Sequence, residues 1–118
     1  MSLDSILKQK SLHFAQRIVR LYQFLASEKR ELVMSKQILR SGTSIGANIA
    51  EAIYGSSRKD FGVKLQIARK EAAETLYWLE LLYSCNYLSD KQYASLSEDC
   101  KELIAILTST NKSLEEQS

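Results

Sequence analysis

Proline is missing from this chain altogether, although an average sequence of 118 residues would carry roughly six at about 5% usage. Proline removes a helix hydrogen bond and clashes with the preceding turn, so its absence leaves room for long unbroken helices. Glycine is scarce too, confined to Gly42, Gly46, Gly55 and Gly62. The two cysteines, Cys85 and Cys100, are too few and too far apart for a zinc knuckle or a redox C-x-x-C. They read as two small buried thiols in a reducing compartment. The single histidine, His13, has no Glu three residues before it, which excludes the paired Glu-x-x-His sites of di-metal bundles. His13 reads as a surface or edge residue. No G-x-x-x-x-G-K-[ST] or G-x-G-x-x-G loop is present, so nucleotide binding by those loops is excluded. No run approaches the roughly 20 apolar residues of a membrane span. Asp4, Lys8 and Lys10 interrupt any early secretory stretch. The expectation is a cytoplasmic protein with no membrane partner, cofactor, metal or small-molecule substrate.

What remains is helical pattern. A 45% hydrophobic and 25% charged composition is that of one ordinary globular domain spanning residues 1–118. The first helix is predicted from about Ser5 to Ala26, with Leu7, Phe14, Ile18, Leu21 and Leu25 at helical spacing. The second runs from about Leu32 to Tyr54 and stops at Gly55. Its core face is Ile38, Ile45, Ile49 and Ala52, and Gly42, Gly46 and Ala50 form a smooth ridge for close helix approach. Ser56-Ser57 reads as a short loop, with Ser57 capping a third helix that reaches about Cys85. Asn86 and Tyr87 form a turn. Ser89 and Gln92 then have capping-box spacing, and Leu88 and Tyr93 the spacing of a hydrophobic staple. The fourth helix turns Tyr93, Leu96, Cys100, Leu103 and Leu107 inward and frays from Leu114 into the tail Glu115–Ser118. Four helices of similar length with short connections predict an all-α, antiparallel up-and-down four-helix bundle.

The third helix carries two interleaved stripes. Phe61, Leu65, Ala68, Ala72, Thr75, Leu79 and Leu82 form a core stripe. Lys64, Ile67, Glu71, Glu74, Trp78, Leu81 and Cys85 form a mixed one. One apolar stripe is enough to join a bundle. The second points to a second packing partner, so Ile67, Trp78 and Leu81 are candidate oligomer-interface residues. On the second helix Gln37, Arg40, Ser44, Asn48 and Glu51 share a polar side, placed roughly opposite the isoleucines. That side is either a solvated face or a stripe lining a subunit seam or channel, with Glu71 and Glu74 as partners for Arg40. Two carboxylates three residues apart also resemble an acid/base pair, but no second catalytic group accompanies them. A Ser-His-Asp arrangement lacks any serine in a strained elbow, and the chain reads as non-catalytic.

Charge is divided along the chain. Residues 1–70 carry 13 basic and 5 acidic side chains, net +8, and residues 71–118 carry 3 and 9, net −6. The basic part faces nucleic-acid phosphates, or the acidic part of another copy, or the acidic part of its own bundle. Arg17, Arg20, Lys29, Arg30, Lys36, Arg58 and Lys59 are the candidate nucleic-acid contacts, with Tyr22 and Tyr54 as stacking faces.

The run from Arg40 to Ala52, R-S-G-T-S-I-G-A-N-I-A-E-A, together with Lys59-Asp60-Phe61 and the run from Lys70 to Leu79, resembles a bacterial four-helix-bundle family. That family was first noted as reading frames within intervening sequences of 23S ribosomal RNA genes. The likeness spans nearly the whole chain, to the turn at Asn86-Tyr87-Leu88. Many members end the S-I-x-x-N-I-A-E block in glycine, where Ala52 stands here. The resemblance implies an up-and-down bundle assembled into a ring, a homopentamer. A related bundle, the accessory protein of diversity-generating retroelements, forms a basic pentameric ring that works with reverse transcriptase and nucleic acid. The leading expectation is therefore a non-catalytic homo-oligomer that binds RNA or another nucleic acid through its first two helices. The alternative is a structural adaptor ring for a protein partner, without nucleic-acid binding.

Overall fold

In the computed structural model, which describes residues 1–55 and 57–117, four helices account for nearly the whole chain. They are α1 (Leu3–Ser27), α2 (Met34–Ile53), α3 (Arg58–Ser84) and α4 (Asp90–Gln117). Ser56, half of the expected short loop, and Ser118 lie outside the described residues. Each helix packs on its sequence neighbours and α1 closes the square on α4, with no diagonal packing among the described residues. This is the expected up-and-down bundle. The α1–α4 seam is the thinnest of the four. The molecule measures 46 × 24 × 21 Å, the long axis matching a 28-residue α4 at about 1.5 Å per residue.

Helix starts follow local chemistry. Ser57 Oγ accepts from the N–H of Asp60 at 3.0 Å, as its spacing predicts. The Ser89–Gln92 capping box closes in both directions: Gln92 Oε1 accepts from Ser89 N–H at 2.8 Å and Ser89 Oγ from Gln92 N–H at 3.1 Å. Leu88 is buried, while Tyr93 stacks on Tyr83 with ring centroids 4.4 Å apart. Tyr83 in turn donates its hydroxyl to Asp90 at 2.6 Å, which raises its pKa above the ordinary phenol value.

Two starts differ from expectation. α1 begins at Leu3 because Ser2 Oγ accepts from Ser5 N–H at 3.2 Å. α2 begins at Met34 rather than Leu32 because its cap comes from outside. The Glu31 carboxylate accepts from the N–H groups of Val33 and Ser35 at 3.1 and 2.8 Å, satisfying donors that Val33, the N-cap residue, cannot reach.

The α1–α2 and α3–α4 turns are made without glycine. Arg30 (φ 53°) and Asn86 (φ 67°) both adopt left-handed backbone. At Asn86 the N–H of Tyr87 bonds to Leu82 O and that of Asn86 to Tyr83 O, at 2.9 and 3.0 Å, a Schellman ending for α3. The expected fraying of the tail does not occur before Gln117. Leu114 packs against the core, Arg58 donates to Gln117, and α4 stays helical through Gln117.

The core contains every inward residue expected of α1 and α2 and all of the α3 core stripe except half-buried Phe61. Of the α4 set, Tyr93 alone is only half-buried. The α2 ridge packs on α1. A Cβ on Gly42 would stand 2.8 Å from two carbons of Ile18, and one on Gly46 would meet Ser11 at 3.4 Å. Thr75 and Ser41, both fully buried, join α3 to α2 through a hydroxyl–hydroxyl hydrogen bond of 2.8 Å.

The cysteines divide, against the expectation of two buried thiols. Cys100 is buried and donates to Ala72 O at 3.3 Å, and burial pushes its pKa up to about 12. Cys85, as the C-cap of α3 where the helix leaves the core, is exposed.

Candidate functional site

The polar side of α2 is not opposite the isoleucines but on the flank that meets α3. At about 100° per residue the Arg40–Ser44–Asn48 row lies roughly a third of a turn from the Ile38–Ile45–Ile49 row. The glycine ridge occupies the other flank, toward α1. Arg40 Nη1 donates to Glu71 at 3.2 Å and Nη2 donates to Glu74. Trp78 Nε1 also donates to Glu74, at 3.0 Å. Lys64 pairs with Glu51 at 3.0 Å. Asn48 donates to Ser44 O at 2.8 Å, both residues half-buried, while Gln37 is exposed.

The bond from the Trp78 indole, then that from Arg40, holds the Glu74 carboxyl below the ordinary carboxylate value. The bond to Glu74 holds Arg40 above its own ordinary value. A lowered carboxyl contributes stability at neutral pH that disappears as pH falls through its folded-state value. For a pair this exposed the contribution is below about 1 kcal/mol.

The mixed stripe of α3 thus finds much of its partner within its own chain. Trp78 is half-buried against the protomer core and lies edge-on to Tyr77, with ring centroids 5.2 Å apart. Its neighbours are less covered: Leu81 is half-buried, Ile67 is 36% exposed, Tyr77 is 56% exposed and Cys85 is exposed. Apolar surface therefore remains on the α3 outer side.

Of the basic candidates, the fold gathers some and separates others. Arg20, Lys29, Arg30 and Lys36 stand exposed toward the end of the bundle where α1 turns into α2. Among the described residues none of these four forms an ion pair, and Lys29 lies over the Phe24 ring at 5.8 Å. Arg58 and Lys59 open α3 at the far end, a helix length of about 40 Å away. Arg17 is committed to α4, donating to Asp99 at 2.6 Å and to Ser95 Oγ at 2.8 Å. Lys10 likewise pairs with Glu102 at 2.9 Å. Together with Arg40, these pairs join the basic part of the chain to the acidic part inside one protomer. Tyr54 is exposed and accepts from Lys8 at 3.2 Å, and Tyr22 is half-buried.

His13 is exposed beside this ion-paired α1–α4 surface, as expected of an edge residue. Among the described residues no three His, Cys, Asp or Glu side chains gather as a metal site, and no helix is long and apolar enough to cross a membrane.

Sequence reasoning missed one feature. Asn111, at a core position of α4, is 3% exposed, and among the described residues neither its carboxamide oxygen nor its nitrogen has a hydrogen-bond partner. Its signal was a lone Asn four residues after Leu107, on the inward row.

Fold and surface together define a four-helix bundle whose polar features lie on flanks and ends rather than in a central pocket. Residues 4–109 match the sequence model of the 23S rRNA-intervening sequence protein family, and the chain belongs to that family. It is also similar to a solved structure, described as a protein with unknown function from the S23 ribosomal protein family of Bacteroides thetaiotaomicron. The two share 57% sequence identity over 94% of this chain and 99% of that one, with a TM-score of 0.92. No curated protein matches the chain.

Proposed function

We propose that the protein is a non-catalytic homo-oligomer that binds RNA through the basic end formed by α1 and α2. The observation that carries this reading is the exposed group Arg20, Lys29, Arg30 and Lys36, without ion pairs among the described residues while Lys10, Arg17 and Arg40 are neutralised within the protomer. Cations left in water at one end of a rigid body are available to phosphates. The description of the similar solved structure as a member of a ribosomal protein family is consistent with an RNA partner.

The test is affinity for ribosomal RNA fragments across a salt series. Affinity falls as salt rises, by about 0.7 log per log salt for each single-strand phosphate contact. Replacing Arg20, Lys29 and Lys36 together with Gln lowers that slope by about 2. Binding that ignores salt, or no binding at all, removes the reading in favour of a protein-adaptor role.

Assembly through the outer side of α3 completes the proposal. It is supported by the exposed Ile67 and Tyr77 and the half-buried Trp78 and Leu81 on neighbouring turns. Trp78→Ala is expected to lower the mass measured by light scattering while helical circular dichroism persists. An unchanged mass with a lower melting temperature would assign the indole to the protomer core alone.

A further inference from the structure

At the end of the bundle opposite the Arg20–Lys36 surface, a groove of about 480 Å³ opens between the first turns of α3 and the last turns of α4. Its size falls within the range of small-molecule sites. Arg58, Lys59, Gly62 and Val63 form one side, and Asn111 and Leu114 are on the other. We infer that this groove binds a phosphorylated nucleotide, base against Asn111 and phosphate against the start of α3.

The first reason is the orphaned carboxamide. Thr110, its neighbour, satisfies its hydroxyl on Ile106 O at 2.7 Å. Asn111 has both a donor and an acceptor buried without a partner among the described residues, a desolvation cost that a complementary ligand relieves. A side-by-side donor and acceptor is the complement of the adenine edge, the pairing Asn makes with N6 and N7. The second reason is shape. Gly62 leaves space in front of Leu114, whose Cδ1 would lie 3.7 Å from a Cβ placed there, and with Val63 these form apolar walls suited to a flat ring.

The third reason is charge. In α3 the N–H groups of Asp60 and Phe61 are taken by Ser57. Those of Arg58 and Lys59 precede the first intrahelical bond and point outward from the positive end of the helix dipole. Asp60, the acid of that turn, is directed away: its Oδ2 lies 2.7 Å from where a Cβ on Gly55 would stand. The acid on the groove is Glu115, on the α4 side, so the phosphate belongs with Arg58 and Lys59.

The carboxamide is closed from water in the unliganded chain. Contact with a base therefore requires the Asn111 side chain to turn outward into the groove, with Leu114 in place as its wall.

The inference rests on the nucleic-acid reading above only in taking a nucleotide as the ligand. The same chemistry is offered by free AMP and by the 5′-phosphorylated end of a strand. The experiment is an NMR titration of the full chain with AMP and with oligoadenylates bearing 5′-phosphate or 5′-hydroxyl. Expected are shifts at Gly62, Val63, Leu114 and the Asn111 side-chain amide. Comparable binding of AMP identifies a free nucleotide, and binding of the phosphorylated strand alone identifies a strand end.

Asn111→Leu removes the orphan and should keep or raise the melting temperature while weakening nucleotide binding by about tenfold or more. Arg58→Gln with Lys59→Gln should weaken binding while preserving the preference for adenine. No shift with any probe at millimolar concentration, or shifts that survive Asn111→Leu, overturns the inference. Salt-dependent RNA binding that persists alongside such a result leaves the α1–α2 surface reading standing. AMP binding at the groove without salt-dependent RNA binding supports the groove and removes the surface reading instead.

Discussion

Gly42→Ala is expected to destabilise the protein by a net of about 1–2 kcal/mol, although alanine is the better helix former by about 1 kcal/mol. The reason is steric. The added methyl would sit 2.8 Å from both Cγ1 and Cγ2 of Ile18 and 3.2 Å from its Cβ. Ile18 is fully buried and branched at Cβ, so it has no flexible end to move aside. Either α1 and α2 separate or Ile18 leaves its rotamer, and overpacking of this kind costs about 1–3 kcal/mol.

Gly46→Ala makes the contrast. Its methyl would meet Ser11 Oγ at 3.4 Å, ordinary contact, and the helix gain of up to about 1 kcal/mol should survive. Chemical denaturation of both variants tests the pair. In an Ile18→Ala background, Gly42→Ala should become neutral or favourable, a coupling of about 0.5–3 kcal/mol between neighbours. A Gly42→Ala protein as stable as the parent would show that the two helices are not locked by this contact.

Thr75→Val should cost about 1–3 kcal/mol, and Ser41→Ala less than about 1. The asymmetry follows from what each hydroxyl loses. Thr75 Oγ1 lies 2.8 Å from both Ser41 Oγ and Glu71 O, so it keeps a helix carbonyl when Ser41 is truncated. Ser41 has only Ile38 O in reserve, at 3.5 Å. Thr75→Val therefore leaves a hydroxyl in the α2–α3 seam with one long bond. Removing both partners should cost less than the sum, since the orphan disappears with Ser41→Ala. Equal losses for the two single variants would contradict this account.

The family's S-I-x-x-N-I-A-E block can be read through the same geometry. In this chain Ile45 and Ile49 fill the core, Asn48 donates to the carbonyl and hydroxyl of Ser44 on the α3 flank, and Glu51 reaches Lys64. One stretch of α2 therefore serves three faces: core, α3 flank and, through Gly42 and Gly46, α1 flank. A residue pattern this dense is what makes the run distinctive.

The order and extent of the helices were legible because their causes are local. Apolar spacing at the helical period, Ser57 ahead of Asp60 and the Ser89–Gln92 box act within a few residues of one another. So did the core, since a buried stripe is a property of one helix. Resemblance carried the family, again from contiguous runs. What could not be read locally came from contacts between helices. The α2 polar row was placed opposite the core because a single helix has an inside and an outside, whereas a helix in a square bundle has two further flanks. The start of α2 is the local exception: Glu31, just ahead of the helix, caps it through its carboxylate, which apolar spacing does not reveal. The tail stayed helical because Arg58, distant in sequence, holds Gln117.

Sequence by itself determined four amphipathic helices, their caps and the uneven distribution of charge, since each is set by residues near one another along the chain. Only the tertiary structure decided which cations are spent on internal ion pairs, which of two glycines is irreplaceable, and that an asparagine is buried without a partner beside an open groove. Those outcomes depend on distances between segments many residues apart, which spacing along one strand of sequence does not encode.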